Sequence, residues 1–369
     1  MNYSYWELKE WFTNIDFTIV GSGIVGLSCA IELKKKHPKA KVIILEKGLL
    51  PQGASTKNAG FACFGSLSEI VDDLNTHTEQ EVFNLVQKRW EGLQLLRKNL
   101  GDKQIDFQQN GGYELFSLNN DLFETCYQKK TAINQLLEPI FKTDVFSVSE
   151  NLFEFKKVHQ KYSVNQFEGQ LDTGKMITQL LLEAQKKGIK ILNTVFVENF
   201  TDIGEKVSVK TNKMEFNTHK LLIATNGFAK ELLNENVQPA RAQILITKPI
   251  KNLQIKGTFH LEKGYYYFRN IDNRILLGGG RNLDFKTEET TEFGQTKIIQ
   301  QKLEEILKTI ILPNKQIEIE HRWSGIMGVG NQKKTIVKPI SNNVFCGVRL
   351  GGMGIAIGSL VGKELADLI

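Results

Sequence analysis

A glycine turn near the start of the chain limits the possible folds more than any other feature of this sequence. A short apolar run leads into Gly21, Gly23 and Gly26 in the pattern G-x-G-x-x-G, and a helical pattern and a second β-rich run follow, ending at Glu46. Strand, glycine turn, helix, strand and acid in this order form the βαβ unit that binds a dinucleotide. The sequence therefore predicts a parallel sheet whose first strand leads into a dinucleotide site.

Each residue of this motif has a separate structural role. Gly21 allows the tight turn, Gly23 lets the backbone approach a pyrophosphate, and Gly26 lets the helix pack closely on the strand. The free N–H groups and the dipole of the helix N-terminus favour an anion at that point. Glu46, 20 residues after Gly26, is placed to accept from ribose hydroxyls and to repel a 2′-phosphate. The motif does not distinguish NAD from FAD.

Composition limits the classes of protein to consider. The chain has 369 residues, enough for two domains or one large one, and its 41% hydrophobic and 24% charged residues are ordinary for a globular protein. The formal net charge of +6 comes from scattered lysines, with no arginine-rich arm, so nucleic-acid binding is not expected.

The four cysteines carry no metal or disulfide signature. Cys29, Cys63, Cys126 and Cys346 are far apart and form no C-x-x-C pair, so neither a metal site nor a disulfide framework is predicted. The first 14 residues lack the basic and apolar regions of a signal peptide, and no run of 18 apolar residues suggests a membrane span. We therefore expect a cytoplasmic protein with reduced thiols.

Small and polar residues cluster at three further places. The stretch GASTKNAGFACFGS begins at Gly53, an apolar strand ends at residues 225–227, and the β-rich residues 344–348 lead into a glycine turn at 351–354. In a parallel sheet such strand ends lie beside the first glycine turn. The last strand, turn and helix repeat the opening order, and the helix dipole there can stabilise a developing negative charge.

The second half of the chain changes to long alternating strands. They include a hairpin whose turn spans residues 271–273. Strand alternation sets Tyr265 and Tyr267 on one face of this hairpin and Tyr266 and Phe268 on the other. We expect an antiparallel sheet that covers the reactive end of a cofactor.

Together these segments resemble the flavin-dependent D-amino-acid and amine oxidoreductases, a family that includes glycine oxidase, monomeric sarcosine oxidase, D-amino-acid dehydrogenase and γ-glutamylputrescine oxidoreductase. The likeness covers nearly the whole chain and depends on the first glycine turn, the G-A-S-x-x-N-x-G loop after Glu46 and the last glycine turn. It implies FAD bound in an extended form and dehydrogenation of a C–N bond. The flavin-linking cysteine of the sarcosine oxidases has no evident counterpart, so noncovalent FAD is expected.

The fold that follows is α/β, a Rossmann-like FAD-binding domain with an inserted, mainly antiparallel β substrate domain. The FAD-binding domain is predicted over the discontinuous residues 1–75, 165–235 and 320–369, and the substrate domain over residues 76–164 and 236–319. Val197 enters the cofactor site because the corresponding strand of the family supplies backbone groups to the adenine. The residues predicted to bind the cofactor are Gly21, Ser22, Gly23, Ile24, Val25, Gly26, Glu46, Lys47, Ala54, Ser55, Thr56, Asn58, Ala59, Gly60, Val197, Thr225, Asn226, Gly227, Gly351, Gly352, Met353, Gly354 and Ile355.

The chain departs from the family at positions that concern the substrate. Arginines that bind the substrate carboxylate in many relatives fall here on Met327 and Gly352, and the oxygen-activating lysine of the sarcosine oxidases falls on Leu277. The arginines that could bind a carboxylate instead are Arg281, Arg322 and Arg349.

The resemblance implies hydride transfer from the carbon beside an amine nitrogen to flavin N5, followed by hydrolysis of the imine. Tyr266 and Trp323 are predicted to wall the pocket, and Arg281 or Arg349 to hold an anionic group or the charge at flavin N1. The expected substrate is a small amine or amino acid, and the electron acceptor is either oxygen or a carrier.

Two other functions stay open. One is a tRNA-modifying flavoenzyme of the same fold that acts on an aminomethyl-uridine; its sign is retention on tRNA that vanishes with salt. The other is a nucleotide-binding protein without turnover, whose bound flavin no amine or amino acid bleaches.

Overall fold

The computed structural model describes residues 2–313 and 315–369. Met1 and Asn314, which fall in the predicted segments 1–75 and 236–319, lie outside the described residues. The helices are α1 (Tyr5–Glu7), α2 (Ile24–Lys36), α3 (Leu67–Asp73), α4 (Glu79–Leu100), α5 (Leu122–Phe141), α6 (Thr173–Lys186), α7 (Lys297–Ile306) and α8 (Gly354–Ala366).

The strands form two eight-stranded sheets and one short pair. They are β1 (Ile15–Val20), β2 (Val42–Glu46), β3 (Phe61–Ala62), β4 (Gly112–Leu115), β5 (Phe146–Glu150), β6 (Lys161–Asn165), β7 (Gly169–Gln170), β8 (Lys190–Asn193), β9 (Val197–Asp202), β10 (Val207–Thr211), β11 (Glu215–Ile223), β12 (Gln238–Thr247), β13 (Thr258–Leu261), β14 (Tyr266–Ile271), β15 (Arg274–Gly279), β16 (Ile319–Val329), β17 (Ile336–Pro339) and β18 (Val344–Val348).

The first sheet has the strand order β17-β18-β11-β1-β2-β8, with the β9–β10 hairpin joined to β11. Strands β18, β11, β1, β2 and β8 run parallel, and β1 lies between β11 and β2. Their carboxyl ends therefore meet at one edge, which is where open α/β sheets bind ligands. One face of this sheet packs against α2, α6 and α8, and β9 and β10 contribute to the core on the other face.

The second sheet has the order β16-β12-β15-β14-β13-β4-β6-β5 and is antiparallel except for the parallel pair β13–β4. Its hairpin β14–β15 turns through Asp272 and Asn273, both with positive φ, as residues of a tight hairpin turn require. The outer face packs against α7. The α/β class with a mainly antiparallel second sheet, predicted from the sequence, is confirmed.

The predicted domain boundaries stay a prediction, but the structure shows where two segments pack. β16 pairs with β12 along its length, so residues 320–329 belong to the second sheet. α4 packs on α8 beside the first sheet, because a side chain at Gly92 would lie only 2.3 Å from the Ala356 carbonyl oxygen. Helical periodicity predicts α4 but cannot say which sheet it covers.

Glycines also bring α8 against α2 at the centre of the molecule. A Cβ at Gly362 would lie 2.6 Å from the Ser28 Cβ and 2.7 Å from the Val25 carbonyl oxygen, and one at Gly358 would lie 2.8 Å from the Ile24 side chain. The two helices therefore approach at nearly backbone distance. This contact holds the start of α2, which carries the first glycine turn.

We predict that Gly362→Val destabilises the protein by about 1–3 kcal/mol, because the added side chain forces α8 away from α2. The measurement is the free energy of unfolding from denaturant titration. Gly174→Ala in α6 is the matched control, since a Cβ there meets only the Asp172 carboxylate. Equal stability of Gly362→Val and the wild type would contradict the close helix contact.

Candidate active site

A cavity of about 650 Å³ is lined by the carboxyl ends of the parallel strands and by the inner face of the second sheet. Val195, Val197 and Glu46 of the first sheet's side line it, together with Tyr265, Tyr267 and residues around the last glycine turn. Apolar and aromatic side chains with a few polar groups make up the wall, as is typical of small-molecule sites.

The first glycine turn has the geometry that its sequence requires. Gly21 has φ +102, a conformation that side chains disfavour, and its N–H donates to the Leu45 carbonyl at 2.8 Å. A Cβ at Gly26 would lie 1.9 Å from the Gly21 carbonyl oxygen. Helix α2 therefore begins directly against the end of β1, and its first N–H groups lie at the cavity edge.

Glu46 is held in place by the turn itself. Its carboxylate accepts from the Ser22 N–H at 3.0 Å and the Ser22 hydroxyl at 2.5 Å, and its other oxygen accepts from the Gly48 N–H at 2.9 Å. The side chain is buried and lines the cavity. A carboxylate fixed in this way keeps further lone pairs for hydroxyl donors of a ligand.

The loop that begins at Gly53 is organised by its own polar side chains. The Ser55 hydroxyl accepts from the Ile24 N–H at 3.0 Å, at the start of α2. The Asn58 amide donates to the carbonyls of Ala54 and Ser55 and accepts from the Gly60 N–H at 2.9 Å. The loop therefore keeps a defined shape beside the first turn.

The last glycine turn is fixed by the end of β11. Asn226 accepts through its side-chain oxygen from the N–H groups of Arg349 and Leu350, each at 3.1 Å. Gly351 and Gly352 have positive φ and lead into α8. The Thr225 hydroxyl beside them is buried and has no partner among the described residues, which suits a site whose ligand supplies that partner.

Most residues predicted to bind the cofactor line this cavity. Four do not, and each supports a neighbour instead: Ser22 holds Glu46, Gly26 admits the helix, the Thr56 hydroxyl donates to the Pro51 carbonyl, and Gly60 packs against Leu171 and Arg269. Those that line it are Gly21, Gly23, Ile24, Val25, Glu46, Lys47, Ala54, Ser55, Asn58, Ala59, Val197, Thr225, Asn226, Gly227, Gly351, Gly352, Met353, Gly354 and Ile355.

The prediction that Tyr266 walls the pocket is wrong. Tyr267 of β14 and Tyr265, directly before this strand, line the cavity, whereas Tyr266 is 1% exposed and packs with Ile299 of α7 in the core behind the sheet. The Tyr267 ring lies across Gly278, where a Cβ would be 2.7 Å from the ring. The tyrosines that line the cavity are therefore Tyr265 and Tyr267, the neighbours of the predicted Tyr266.

Trp323 and Arg349 also lie outside the cavity lining, contrary to the predicted roles. The Trp323 ring donates through Nε1 to the Lys57 carbonyl at 2.9 Å and so ties the Gly53 loop to β16. The Arg349 guanidinium donates to the carbonyls of Lys334 and Asn236 at 2.7 and 3.2 Å. Both side chains therefore form hydrogen bonds that join distant segments of the chain.

Arg281 does line the cavity, as predicted. It follows β15, it is half-buried, and its guanidinium lies 4.7 Å from the centre of the Phe285 ring. No carboxylate among the described residues pairs with it. Burial lowers the pKa of Arg281 below its usual range, yet a guanidinium stays charged at neutral pH. Arg322, by contrast, is paired with Glu304 at 2.7 Å.

The three positions at which relatives carry an arginine or a lysine differ in whether they line the cavity. Met327 and Gly352 line the cavity and bring no charge to it. Leu277 points into the core behind the second sheet, and it is Gly278 that is aligned with Tyr267 on the cavity face. Leu277, the position that matches the sarcosine oxidase lysine, is therefore one residue away from the cavity side of β15.

Sequence reasoning missed a buried ion pair at the cavity. His260 of β13 lines it, and its Nε2 lies 2.6 Å from a Glu168 oxygen, with both side chains almost fully buried. Burial by itself would lower the pKa of His260, but the acids Glu168, Glu69 and Glu114 together raise it to about 9. The alternation of β13 places His260 on one face, but nothing in the sequence links it to an acid 92 residues away.

The whole-chain match to known proteins agrees with this geometry. Residues 16–368 match the family model described as FAD dependent oxidoreductase, and the chain belongs to that family. The γ-glutamylputrescine oxidoreductase of Escherichia coli is 22% identical over 96% of this chain and 83% of its own length. The family resemblance predicted from the motifs is thereby confirmed.

Two solved structures have the same fold across nearly the full chain. The L-proline dehydrogenase from P. horikoshii superposes with a TM-score of 0.76 at 20% identity, covering 96% of this chain and 93% of the other. The glycine oxidase from Geobacillus kaustophilus gives a TM-score of 0.76 at 19% identity, covering 96% and 94%. At this level of identity the two structures support the fold.

The residues of the cavity suit FAD. A positive-φ glycine turn, a helix N-terminus, a fixed acid and an unpartnered Thr225 hydroxyl are the groups that an extended dinucleotide needs. In the described part of the chain no cluster of His, Cys, Asp and Glu could hold a metal ion. Across residues 2–313 and 315–369 no helix is long and apolar enough to cross a membrane.

We predict that Gly21→Ala weakens FAD binding by roughly 5- to 150-fold, since backbone strain of about 1–3 kcal/mol is added where φ is +102 and the Ala224 carbonyl lies 2.9 Å from the new Cβ. The measurement is the dissociation constant from reconstitution of the apoprotein. Gly174→Ala, away from the cavity, should bind FAD as the wild type does. An unchanged constant in Gly21→Ala would place the dinucleotide elsewhere.

Proposed function

We propose that this protein binds FAD noncovalently along the cavity and oxidises the C–N bond of a small amine or amino acid. The observation that carries the proposal is a single cavity lined by the first glycine turn, by two tyrosines and by Arg281, which has no acidic partner among the described residues. When bound, FAD supplies the acceptor for the hydride of the carbon beside the amine nitrogen, and water then hydrolyses the imine.

The names of the relatives support this class of reaction. γ-Glutamylputrescine oxidoreductase, L-proline dehydrogenase and glycine oxidase are each named for an amine or an amino acid. Oxidation of an amine or amino acid is assigned to this chain as part of the proposal. Cys63 lies at the cavity, and burial raises the pKa of its thiol well above the usual range.

Arg281 would bind the carboxylate of an amino-acid substrate. It faces the cavity without an acidic partner among the described residues, and a guanidinium can hold a carboxylate through two parallel hydrogen bonds. Tyr265 and Tyr267, with Phe61 and Phe293, would close the space around the reacting carbon and exclude water. A cytoplasmic location and the absence of nucleic-acid binding stay predictions.

The first experiment is an anaerobic screen of amines and amino acids against the FAD-loaded protein, with flavin absorbance as the readout. Bleaching by a small amine or amino acid supports the proposal. Reoxidation on admitting air then distinguishes an oxidase from a dehydrogenase that needs a carrier. A flavin that none of them bleaches would favour a non-catalytic protein, and retention on tRNA at low salt would favour the RNA-modifying alternative.

We predict that Arg281→Met raises KM for a carboxylate substrate by roughly 10-fold or more, because a charged hydrogen bond contributes about 1.5–3 kcal/mol. Amines without a carboxylate should be oxidised with an unchanged KM. Arg322→Met is the matched control, since Arg322 is already paired with Glu304 outside the cavity. An unchanged KM in Arg281→Met would remove this residue from the substrate site.

A further inference from the structure

The inner face of the second sheet carries a polar row that the proposed reaction does not use. Glu114 of β4, His260 of β13, Tyr267 of β14 and Gly278 of β15 are directly aligned across neighbouring strands. Directly paired residues point to the same face of a sheet. His260 and Tyr267 both line the cavity, so this row borders it.

His260 is fixed by contacts with Glu168 and Phe61. Its Nε2 lies 2.6 Å from Glu168, and the same carboxylate oxygen accepts from the Thr258 hydroxyl at 2.7 Å. The Phe61 ring meets the imidazole edge-on, with ring centres 5.3 Å apart. Nδ1 has no hydrogen-bond partner among the described residues. The imidazole is therefore held rigidly with one nitrogen left for a ligand.

The charged groups around His260 all favour its protonated form. They are Glu168 after β6, Glu114 on β4 and Glu69 on α3, and together they raise its pKa to about 9 against the effect of burial. Its titratable neighbour on β14, Tyr267, stays neutral because burial raises its pKa to about 12. Cys63, directly after β3, likewise stays a neutral thiol. At neutral pH both ring nitrogens of His260 thus carry protons.

We propose that His260, held by Glu168, is an anion-binding group at the reactive end of the cavity, so that the preferred substrate carries an anionic group in addition to the one bound by Arg281. This inference rests on the proposed function for its substrate and extends it. Arg281 follows β15 and His260 lies on β13, on opposite sides of the tyrosines of β14. Two strand spacings, roughly 10 Å, separate β13 from β15 across the sheet, and Arg281 lies three residues beyond Gly278, which is level with His260.

The lining contains other charges, but they are mostly paired with one another. Lys47 pairs with Glu231 at 3.0 Å and Lys263 with Asp72 at 2.6 Å. Arg281 has no acidic partner in the described part of the chain. His260 is paired with Glu168 through Nε2 alone among the described residues. Lys57 also lines the cavity without an acidic partner among the described residues, and its Nζ lies 5.1 Å from the centre of the Phe293 ring. The cationic lining groups that lack an acidic partner are therefore Arg281 and Lys57, and His260 adds an imidazole whose Nδ1 has no partner in the described part of the chain.

The test uses acetate and glutarate as probes of the FAD-loaded protein, with dissociation constants from flavin absorbance and from calorimetry between pH 7 and 10. Acetate and glutarate are fully ionised in this range, so a change in affinity reports on the protein. Glutarate should bind more tightly than acetate at pH 7. The affinity should fall as the pH rises through about 9, since the raised pKa of His260 means that its charge is present below that value and lost above it.

His260→Gln should weaken glutarate binding by roughly 10-fold or more at pH 7 and abolish the pH step. Glu168→Gln keeps the imidazole but removes the group that raises its pKa, so the step should move to lower pH. Arg281→Met should weaken binding at every pH and keep the step. His321→Gln, an exposed histidine outside the cavity lining, is the matched control and should behave as the wild type.

The proposal is overturned if the wild type binds glutarate with the same affinity at pH 7 and pH 10, a result that needs no variant to fold. It is also overturned if His260→Gln binds both probes as the wild type does. These outcomes are separate from the proposed function. If no amine or amino acid bleaches the flavin but glutarate affinity still falls with rising pH, the proposed oxidation is rejected and the anion site is kept. If a substrate bleaches the flavin but glutarate affinity does not change with pH, the anion site is rejected and the proposed oxidation is kept.

Discussion

The contact between the end of β1 and the start of α2 is the constraint on which the cavity depends. A Cβ at Gly26 would lie 1.9 Å from the Gly21 carbonyl oxygen, and one at Gly21 would lie 2.9 Å from the Ala224 carbonyl oxygen. Only glycine fits at either place, so the helix N-terminus comes down on the edge where the parallel strands end. The acid at the end of β2 and the polar residues after β11 gain their position from this edge.

The second sheet contributes shape and charge to the same space. Its outer face is an apolar core against α7, whereas its inner face carries the buried acid Glu114, the pair His260–Glu168 and the ring of Tyr267. A buried ion pair costs desolvation that its mutual attraction only partly offsets, so it is weak evidence of stabilisation. The position of His260 on the cavity wall is the basis of the anion-binding role proposed for it.

Motifs that depend on neighbours in sequence were predictable. The first turn, the loop after Glu46, the hairpin of residues 271–273 and the strand and helix at the carboxyl end all lie where local patterns place them. Errors arose where a side chain could satisfy more than one role. Tyr266 is one of three adjacent tyrosines, and alternation separates them into two faces without saying which face is buried. Arg349 has positive φ and is held by backbone carbonyls that are distant in sequence.

The sequence by itself determined the dinucleotide turn, the acid that follows it, the α/β class and the family, because each depends on residue types at short, fixed spacings. The tertiary structure decided which aromatic residues face the cavity, which arginine keeps a free guanidinium, and that His260 is paired with Glu168 across 92 residues of chain. Strand pairing and burial set these contacts, and both arise only when the two sheets have formed and packed.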